Sequence, residues 1–402
     1  MSGQPSLESL VRDLIESGAV PASVPAWAHQ LLAIVIFGAI IVFGFVLPIA
    51  GITTWVERRV MARMQSRIGP NRVGPIGFLQ WLADGIKNML KEDIVPIAAD
   101  APLFKLAPYV VMTGFIAAFV AIPFGGPLII ADLNVGIVYV TSVTALVVVG
   151  ILMAGWASNN KWSLIGGIRS AAQIVSYEIP AALSIFSIVL ITGTLSMQSI
   201  IKAQGWAPWN WFVFYSPFTF VSFWILFTAL LAEGNRTPFD LPEAESELVA
   251  GFVTEYSGAR YLFFFLVEWG NLYVISAVLV TLFLGGWQVP AITDNAVLLN
   301  LLQFLTFFVK SYLGVLLIMW IRATLPRIRV DQLMTTCWKY LVPMAFVNFL
   351  GTGIWVAIWP NGNRPIWYLM TAIGFALCGY FVYRVGFHLR RSGAQLLLSP
   401  FS

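Results

Sequence analysis

Residues 136–157 read Gly-Ile-Val-Tyr-Val-Thr-Ser-Val-Thr-Ala-Leu-Val-Val-Val-Gly-Ile-Leu-Met-Ala-Gly-Trp-Ala, without an Asp, Glu, Lys or Arg. The run is long enough to cross the hydrocarbon core of a bilayer, which takes about 20 apolar residues in a helix. Polar and apolar residues do not alternate in it, as they would in a strand of a membrane barrel. The run therefore predicts an α-helix, whose backbone hydrogen bonds are satisfied internally in lipid.

The composition of the whole chain points to the same class of protein. Of 402 residues, 59% are hydrophobic and 10% are charged, whereas a soluble domain carries about 25% charged residues. The mean hydropathy is +0.83. These values exclude a water-soluble globular protein, and the high hydrophobicity also excludes a disordered chain.

Nine apolar runs have the length of a membrane span, and none alternates in the manner of a strand. We therefore predict an all-α integral membrane protein with about nine transmembrane helices plus an amphipathic surface helix. The runs are 31–56, 103–124, 136–157, 171–195, 218–232, 261–284, 301–321, 340–359 and 366–385. The predicted divisions are an amphipathic N-terminal tail (1–29), a core of eight transmembrane helices (30–360) and an extra C-terminal transmembrane helix with its tail (361–402).

The positions of Lys and Arg predict the orientation in the membrane. With nine spans, all but four of the 23 basic residues lie in the loops of one side or in the C-terminal tail. The exceptions are Arg12, Lys202, Lys310 and Arg364. By the positive-inside rule, the N-terminus is predicted outside and the C-terminus inside.

Soft metal ligands are scarce in this chain. Cys337, Cys378, His29 and His388 are the only cysteines and histidines, whereas an iron–sulfur cluster usually takes four thiolates. We therefore expect any redox centre to be held by another chain, and the two cysteines do not predict a disulfide framework.

The first loop on the inner side combines basic residues with a rigid turn. Glu57 stands beside Arg58 and Arg59, and residues 69–75 contain two Gly-Pro pairs that favour a fixed turn. The basic residues by themselves are also explained by topology and by anionic lipid headgroups. After the turn, residues 76–94 carry apolar residues on one face, which predicts a helix in the membrane surface.

Three ionisable residues fall inside predicted spans. Glu178 and Glu268 each lie about two turns, or roughly 10 Å, into their spans from the inner side, and Lys310 lies near the middle of the seventh span. Charges inside a membrane are costly and usually belong to a pathway or a relay. The alternative is a structural pair between helices, such as a carboxylate against Lys310.

The predicted depth of Glu178 depends on where its helix begins. Ser170 and Gln173 have the spacing of a capping box, which predicts a helix start at Ser170. Pro180 lacks an N–H, so the carbonyl of Ser176 is predicted to lose its partner within the helix.

An acidic loop follows the fifth predicted span. Its acidic residues are Glu233, Asp240, Glu243, Glu245 and Glu247, with Glu255 close behind. Carboxylates this close together raise one another's pKa and can share a proton. The apolar residues among them predict that the loop folds against the membrane domain; they are Phe239, Leu241, Leu248, Val249 and Phe252.

These motifs, in this order, closely resemble one family: the membrane subunit of proton-pumping NADH:quinone oxidoreductase (respiratory complex I), called subunit 1 in mitochondria and H in bacteria. The resemblance covers about residues 56–343. It rests on residues 57–75, 83–85, 91–93, 154–159, 176–178, 235–248, 255–258 and 321–327.

The resemblance implies an enzyme subunit that binds a quinone, ubiquinone or menaquinone, as substrate, with no cofactor bound covalently or through a metal. The residues implied at the quinone opening are Glu57, Arg58, Arg59, Arg72 and Asp84. Those implied in a proton relay are Glu178, Glu233, Asp240, Glu243, Glu245, Glu247, Glu255, Glu268 and Lys310. The implied partners are the terminal iron–sulfur subunit, the 49-kDa-type subunit, small membrane subunits and lipid, without nucleic acid. The implied location is a bacterial inner membrane.

Two other readings remain open from the sequence. One is the equivalent subunit of a membrane-bound hydrogenase or of a ferredoxin-linked or F420-linked complex. The other is a stand-alone secondary transporter, which also carries buried charges at mid-membrane but usually shows inverted repeats and broken helices.

Overall fold

A computed structural model describes residues 42–242, 245–290, 295–360 and 362–397. Within these ranges the regular structure is entirely helical. The predicted N-terminal tail and residues 31–41 of the first predicted span lie outside the described residues. The prediction of an all-α chain is confirmed for the part that the structure describes.

Thirteen α-helices follow one another along the described chain. They are α1 (Leu47–Met64, after a π-helical turn at Val42–Val46), α2 (Gln80–Leu90), α3 (Ala101–Ala118), α4 (Gly136–Ala157), α5 (Lys161–Thr192), α6 (Met197–Ala203), α7 (Pro217–Glu233), α8 (Glu245–Leu248), α9 (Gly258–Phe283), α10 (Ala296–Thr324), α11 (Val330–Thr335), α12 (Val342–Ile358) and α13 (Arg364–Leu397).

Seven helical stretches in the described ranges are long and apolar enough to cross a membrane. They are α3, α4, α5, α9, residues 297–324 of α10, the stretch Val330–Ile358 that contains α11 and α12, and residues 364–384 of α13. α7 is apolar but has only 17 residues. The remaining predicted span corresponds, in its described part, to the start of α1.

α5 begins ten residues earlier than the capping-box motif predicted, so the prediction of a start at Ser170 is wrong. The N-cap is Asn160, whose side-chain oxygen accepts a hydrogen bond from the Trp162 amide at 2.9 Å. Ser170 and Gln173 are buried inside the helix and bond to other elements. Glu178 consequently lies about 26 Å from the helix start at 1.5 Å per residue.

The predicted loss of a hydrogen bond at Pro180 is confirmed, and another helix supplies the missing donor. The Cys337 thiol donates to the Ser176 carbonyl over 3.1 Å. One residue along, the Tyr177 hydroxyl donates to the Leu333 carbonyl over 3.0 Å. Both contacts join α5 to the stretch that holds α11 and the π-helix Thr336–Leu341.

α9 is the central helix of the molecule. In its span 72% of the residues are buried inside the protein, whereas the value for α13 is 11%. α9 packs against α1, α3 and α10, and α5 packs against α4, α7 and α12. The acidic loop between α7 and α9 therefore joins these two groups of helices.

Gly166→Ala should destabilise the protein, because α5 touches the backbone of the acidic loop at this glycine. A Cβ at Gly166 would lie 2.8 Å from Gly251 Cα and Phe252 N, and backbone atoms cannot move aside as a side chain can. Overpacking of this kind costs about 1–3 kcal/mol. Thermal unfolding of the purified assembly should show a lower melting temperature.

The matched control is Gly379→Ala, since a Cβ at Gly379 meets no atom within 4 Å. Its melting temperature should not fall, because alanine is favoured over glycine inside a helix. Equal melting temperatures for both variants and the parent would contradict the tight contact at Gly166.

Candidate functional site

Four charged residues meet near the C-terminal ends of α1 and α10, and we call them the charge quartet: Glu57, Arg236, Glu268 and Arg322. Arg322 on α10 donates from Nη1 to the Glu57 carboxylate on α1. Arg236, in the acidic loop, forms an ion pair with Glu268 on α9 at 3.0 Å. The side chains of Glu57 and Arg236 are only 3% and 2% exposed, so their charges are balanced inside the protein and not by water.

Trp269 completes the quartet. The guanidinium carbon of Arg236 lies 4.3 Å from the centre of its ring, and that of Arg322 lies 5.8 Å away. An aromatic face attracts a cation, and the attraction is strongest where water is excluded. Two carboxylates and two guanidiniums give the quartet no net charge, which is the condition under which buried charges are tolerated.

Two arginines next to Glu57 hold the first inner loop in place. Arg58 forms an ion pair with Asp84 of α2. Arg59 donates to the carbonyl of Pro70, within the turn, and to that of Ile76, directly after it. These contacts join the end of α1, the turn and the surface helix, as the Gly-Pro pairs suggested.

A cavity of about 430 Å³ opens beside the quartet, and we call it the inner cavity. Its charged and aromatic lining consists of Glu57, Arg58, Arg67, Trp269 and Arg322, and the rest comes from residues 61–70. Pockets for small molecules usually measure about 300–1,000 Å³ and combine apolar walls with a few polar groups. Arg72 is exposed on the turn, outside this lining.

A wider surface groove of about 810 Å³ holds Glu255 and lies apart from the quartet. Asp100 and Lys161 also line it, and Asn160 Nδ2 donates to the Glu255 carboxylate at 2.6 Å. Size does not decide between the two cavities. The inner cavity is the better candidate, because the ion pair of the buried Glu57 with Arg322 lies in its wall, beside the Trp269 ring.

The acidic loop does fold against the membrane domain, as predicted. Phe239, Leu241, Leu248 and Phe252 are all less than 9% exposed. The prediction is wrong for Val249, which is 61% exposed. Val249 has a positive φ of 63°, and this turn directs it away from its buried neighbours.

The acidic side chains of this loop have different surroundings. Asp240 pairs with Arg327 at 3.0 Å; burial raises the pKa of the Asp240 carboxyl, and the Arg327 guanidinium offsets part of that shift. Glu247 is half exposed and pairs with Arg169 at 2.6 Å. Glu243 and the side chain of Glu245 lie outside the described residues.

Gln173 on α5 positions the start of the acidic loop. Its buried side-chain amide donates to the carbonyls of Ala232 and Phe239, each at 2.8 Å, and is 3.1 Å from the Asn235 side-chain oxygen. The capping-box spacing assigned Gln173 to a helix cap and missed this role. The contact with the acidic loop becomes clear only when the start of α5 at Lys161 is known. Gln173 then lies three turns inside the helix, where it cannot cap the helix and its side chain is available to the loop.

Glu233 and Glu178 form a second group of charges, between α7 and α5. Glu233 is the last residue of α7 and interacts with the side chain of Thr144 on α4. Glu178 on α5 is close enough to contribute to the electrostatic environment of the Glu233 carboxyl. This proximity of carboxylates from different helices is what a relay requires.

Lys310 lies near the other end of α9. Its ammonium group donates to the carbonyls of Leu284 and Gly286, at 2.9 and 3.1 Å, and stacks 4.7 Å from the ring centre of Trp211. Glu268 lies about 24 Å back along the chain from Leu284, at 1.5 Å per residue. The alternative of a carboxylate paired with Lys310 is therefore wrong for Glu268, whose partner is Arg236.

Arg236 and Arg322 are the functional candidates that sequence reasoning missed. In the sequence they contribute to the charge bias and to two of the motifs behind the resemblance, but neither was predicted to belong to the site. Their partners lie far away in the chain, 265 positions in the case of Arg322 and Glu57. In the described part of the chain there is also no group of three His, Cys, Asp or Glu residues placed to hold a metal ion.

Comparisons with known proteins agree on one family. A family model described as NADH dehydrogenase matches residues 37–353. The H-type subunit of NADH-quinone oxidoreductase from Anaeromyxobacter dehalogenans (strain 2CP-C) is 57% identical over 345 residues, covering 82% of this chain and 83% of that protein. Its counterpart from Dehalococcoides mccartyi (strain CBDB1) is 46% identical over 340 residues, covering 85% and 90%. NADH-quinone oxidoreductase subunit 8 of Rhodothermus marinus is 42% identical over 331 residues, covering 80% and 96%.

Proposed function

Because the chain belongs to the NADH dehydrogenase family, we propose that it is the membrane subunit in which a quinone binds and through which quinone reduction drives proton translocation. The observation that carries this proposal is the inner cavity, with the buried Glu57–Arg322 pair in its wall. The substrate is ubiquinone or menaquinone, and the electrons come from an iron–sulfur cluster held by a partner subunit.

The inner cavity suits a quinone because it combines polar and apolar walls. The guanidinium of Arg322 is a donor for a quinone carbonyl, and the ring of Trp269 offers a flat apolar surface. Ile68 and Met61 line the side on which an isoprenoid tail would lie. In this arrangement Arg58, Arg59 and Asp84 shape the opening by holding the turn and α2, and Arg72 adds positive charge on its outer side.

The charge quartet links this cavity to the carboxylates. Reduction of a quinone takes up two protons, so the charge at a dry site must be compensated. Glu57 is coupled to Arg236 and Glu268 as well as to Arg322, so a change beside Glu57 alters the balance of the whole quartet. Asp240 interacts electrostatically with both Glu268 and Arg322. This interaction extends the coupling from the quartet into the acidic loop.

The second part of the relay runs from the acidic loop into the membrane. It comprises Glu243, Glu245 and Glu247 of the loop, followed by Glu233 and Glu178. We assign Glu255 to a side branch of this route that opens into the surface groove. Lys310 lies at the opposite end of α9, where its positive charge balances the negative charge at the end of the relay. The charge change reaches the neighbouring antiporter-like subunits, which move the protons.

The remaining parts of the proposal concern architecture. The chain crosses a bacterial inner membrane nine times, with its N-terminus outside and its C-terminus inside. The quinone-binding core comprises residues 30–360 and the additional C-terminal part residues 361–402; the third division, residues 1–29, lies outside the described residues. The partners are the terminal iron–sulfur subunit, the 49-kDa-type subunit and small membrane subunits.

Arg322→Lys in the assembled enzyme is expected to raise the KM for a short-chain quinone about tenfold, equivalent to about 1.4 kcal/mol. Lysine keeps the positive charge opposite Glu57 but lacks the planar fork that reaches two acceptors and stacks on Trp269. The measurement is steady-state NADH:quinone reductase activity, normalised to assembled enzyme.

The control is Arg364→Lys, an exposed arginine at the start of α13, at the opposite end of this helix from Phe381, which contacts Trp320; it should leave the KM unchanged. A photoreactive quinone should also label residues 57–70, and excess quinone should prevent the labelling. An unchanged KM in Arg322→Lys, together with labelling confined to other segments, would show that the quinone binds elsewhere.

A further inference from the structure

A small cavity beside Glu233 has room for one water molecule. The space that the centre of a water molecule can occupy in it is about 10 Å³. The cavity lies among α3, α4, α5, α7 and α9. A cavity needs about 10–15 Å³ on this measure to hold a water, and the water needs two to four polar partners. Three polar side chains line the cavity, namely Thr144, Glu233 and Asn271, and the other walls are apolar.

The Thr144 hydroxyl can satisfy Glu233 in either protonation state. It lies 3.0 Å from the Thr141 carbonyl and also interacts with the Glu233 carboxylate. A hydroxyl has one hydrogen to donate and two lone pairs to accept. When Glu233 is ionised, Thr144 donates to it; when Glu233 is protonated, it donates to Thr144, which turns its own hydrogen to Thr141.

Asn271 provides the contact with α9. Its side chain lines the same cavity as Glu233 and Thr144. An amide offers both a donor and an acceptor, so it can bond to a water in either orientation. Asn271 is three residues after Glu268, and side chains at this spacing lie on the same face of a helix.

We propose that Thr144 and Asn271 are positioning residues of the relay, which hold one water between Glu233 and α9. This inference rests on the proposed role of Glu233. When the Glu233 carboxyl passes its proton to the water, the water passes a proton on to the carboxylate of Glu268, which lies one turn from Asn271 on the same face of α9. No electron is transferred and the water is regenerated. The apolar walls limit the cavity to one water, which keeps the proton on a single route.

The test uses assembled enzyme in proteoliposomes, with Thr144→Val, Thr144→Ser and Asn271→Leu. Valine has nearly the shape of threonine but cannot donate or accept, whereas serine keeps the hydroxyl. Thr144→Val and Asn271→Leu are expected to lower the pumping rate about tenfold, and Thr144→Ser is expected to retain it. The solvent deuterium isotope effect on turnover should rise in the two impaired variants.

Thr141→Val is the matched control, because it makes the same change one turn away on α4. The Thr141 hydroxyl bonds only to carbonyls of its own helix, Ile137 and Val138, and does not line the cavity. Its pumping rate should equal that of the parent. An equal loss in Thr144→Ser and Thr144→Val would overturn the inference, since only packing would then matter.

Glu233→Gln separates this inference from the function on which it rests. If Glu233→Gln stops pumping while Thr144→Val and Asn271→Leu pump normally, the water-holding role is overturned and the relay stands. If Glu233→Gln pumps normally, the relay through Glu233 is itself overturned. All rates are normalised to the amount of assembled enzyme, so a variant that assembles poorly is still compared per molecule.

Discussion

Arg236→Leu is expected to prevent the enzyme from accumulating in assembled form. The substitution leaves Glu268 without its ion-pair partner and removes the cation from the face of Trp269. Removing one member of a buried ion pair costs about 3–5 kcal/mol, because the remaining charge is left uncompensated. This is a large part of the roughly 5–15 kcal/mol by which proteins are stable. Native gels of detergent-solubilised membranes measure the assembled fraction.

The double variant Arg236→Leu with Glu268→Leu should recover much of the assembly, because it removes both charges together. Arg169→Gln is the control, since its partner Glu247 is half exposed and an exposed ion pair contributes only about 0–1 kcal/mol. Normal assembly of Arg236→Leu, or a double variant as poor as the single one, would show that the pair does not stabilise the fold.

Glu178→Gln and Glu247→Gln are each expected to lower proton pumping at least tenfold in assembled enzyme, and quinone reductase activity with it. Glutamine preserves the shape of the side chain but cannot take up or release a proton. Because quinone reduction at a dry site needs compensating charge, a blocked relay slows the electron transfer to which it is coupled. Pumping is measured in proteoliposomes by the quenching of a pH-sensitive dye.

Glu92→Gln supplies the comparison for these two variants. Glu92 is an exposed acidic residue in the segment after α2, with no place in the proposed route. Its replacement makes the same chemical change and should leave pumping and reductase activity as in the parent. Full activity and full pumping in both Glu178→Gln and Glu247→Gln would remove the carboxylate relay from the proposal.

The acidic residues of the candidate site were individually visible in the sequence, because an ionisable group stands out in a chain with so few of them. Glu57, Glu268 and Asp240 were all identified in this way. Their partners were not, since Arg322 and Arg236 belong to a basic population that topology alone explains. Thr144 and Asn271 were also missed, because a single neutral polar residue in a span carries no signal until a cavity is found beside it.

A local sequence pattern gave a wrong prediction where contacts between helices and loops compete with contacts within a helix. Ser170 and Gln173 have capping-box spacing, yet Asn160 caps the helix and Gln173 bonds to the acidic loop. A polar side chain beside a bundle can bond to another element as readily as to its own backbone. Spacing along the chain cannot distinguish these outcomes.

The sequence by itself determined that this chain is a bundle of membrane helices, because lipid leaves each long apolar segment no other way to satisfy its backbone. It also determined which side chains are costly enough to demand a function. Only the tertiary structure decided which charges balance one another, that Glu57 meets Arg322 and Glu268 meets Arg236, and that Lys310 caps the far end of α9. The physical reason is that electrostatic pairing depends on distance in space, which helix packing sets.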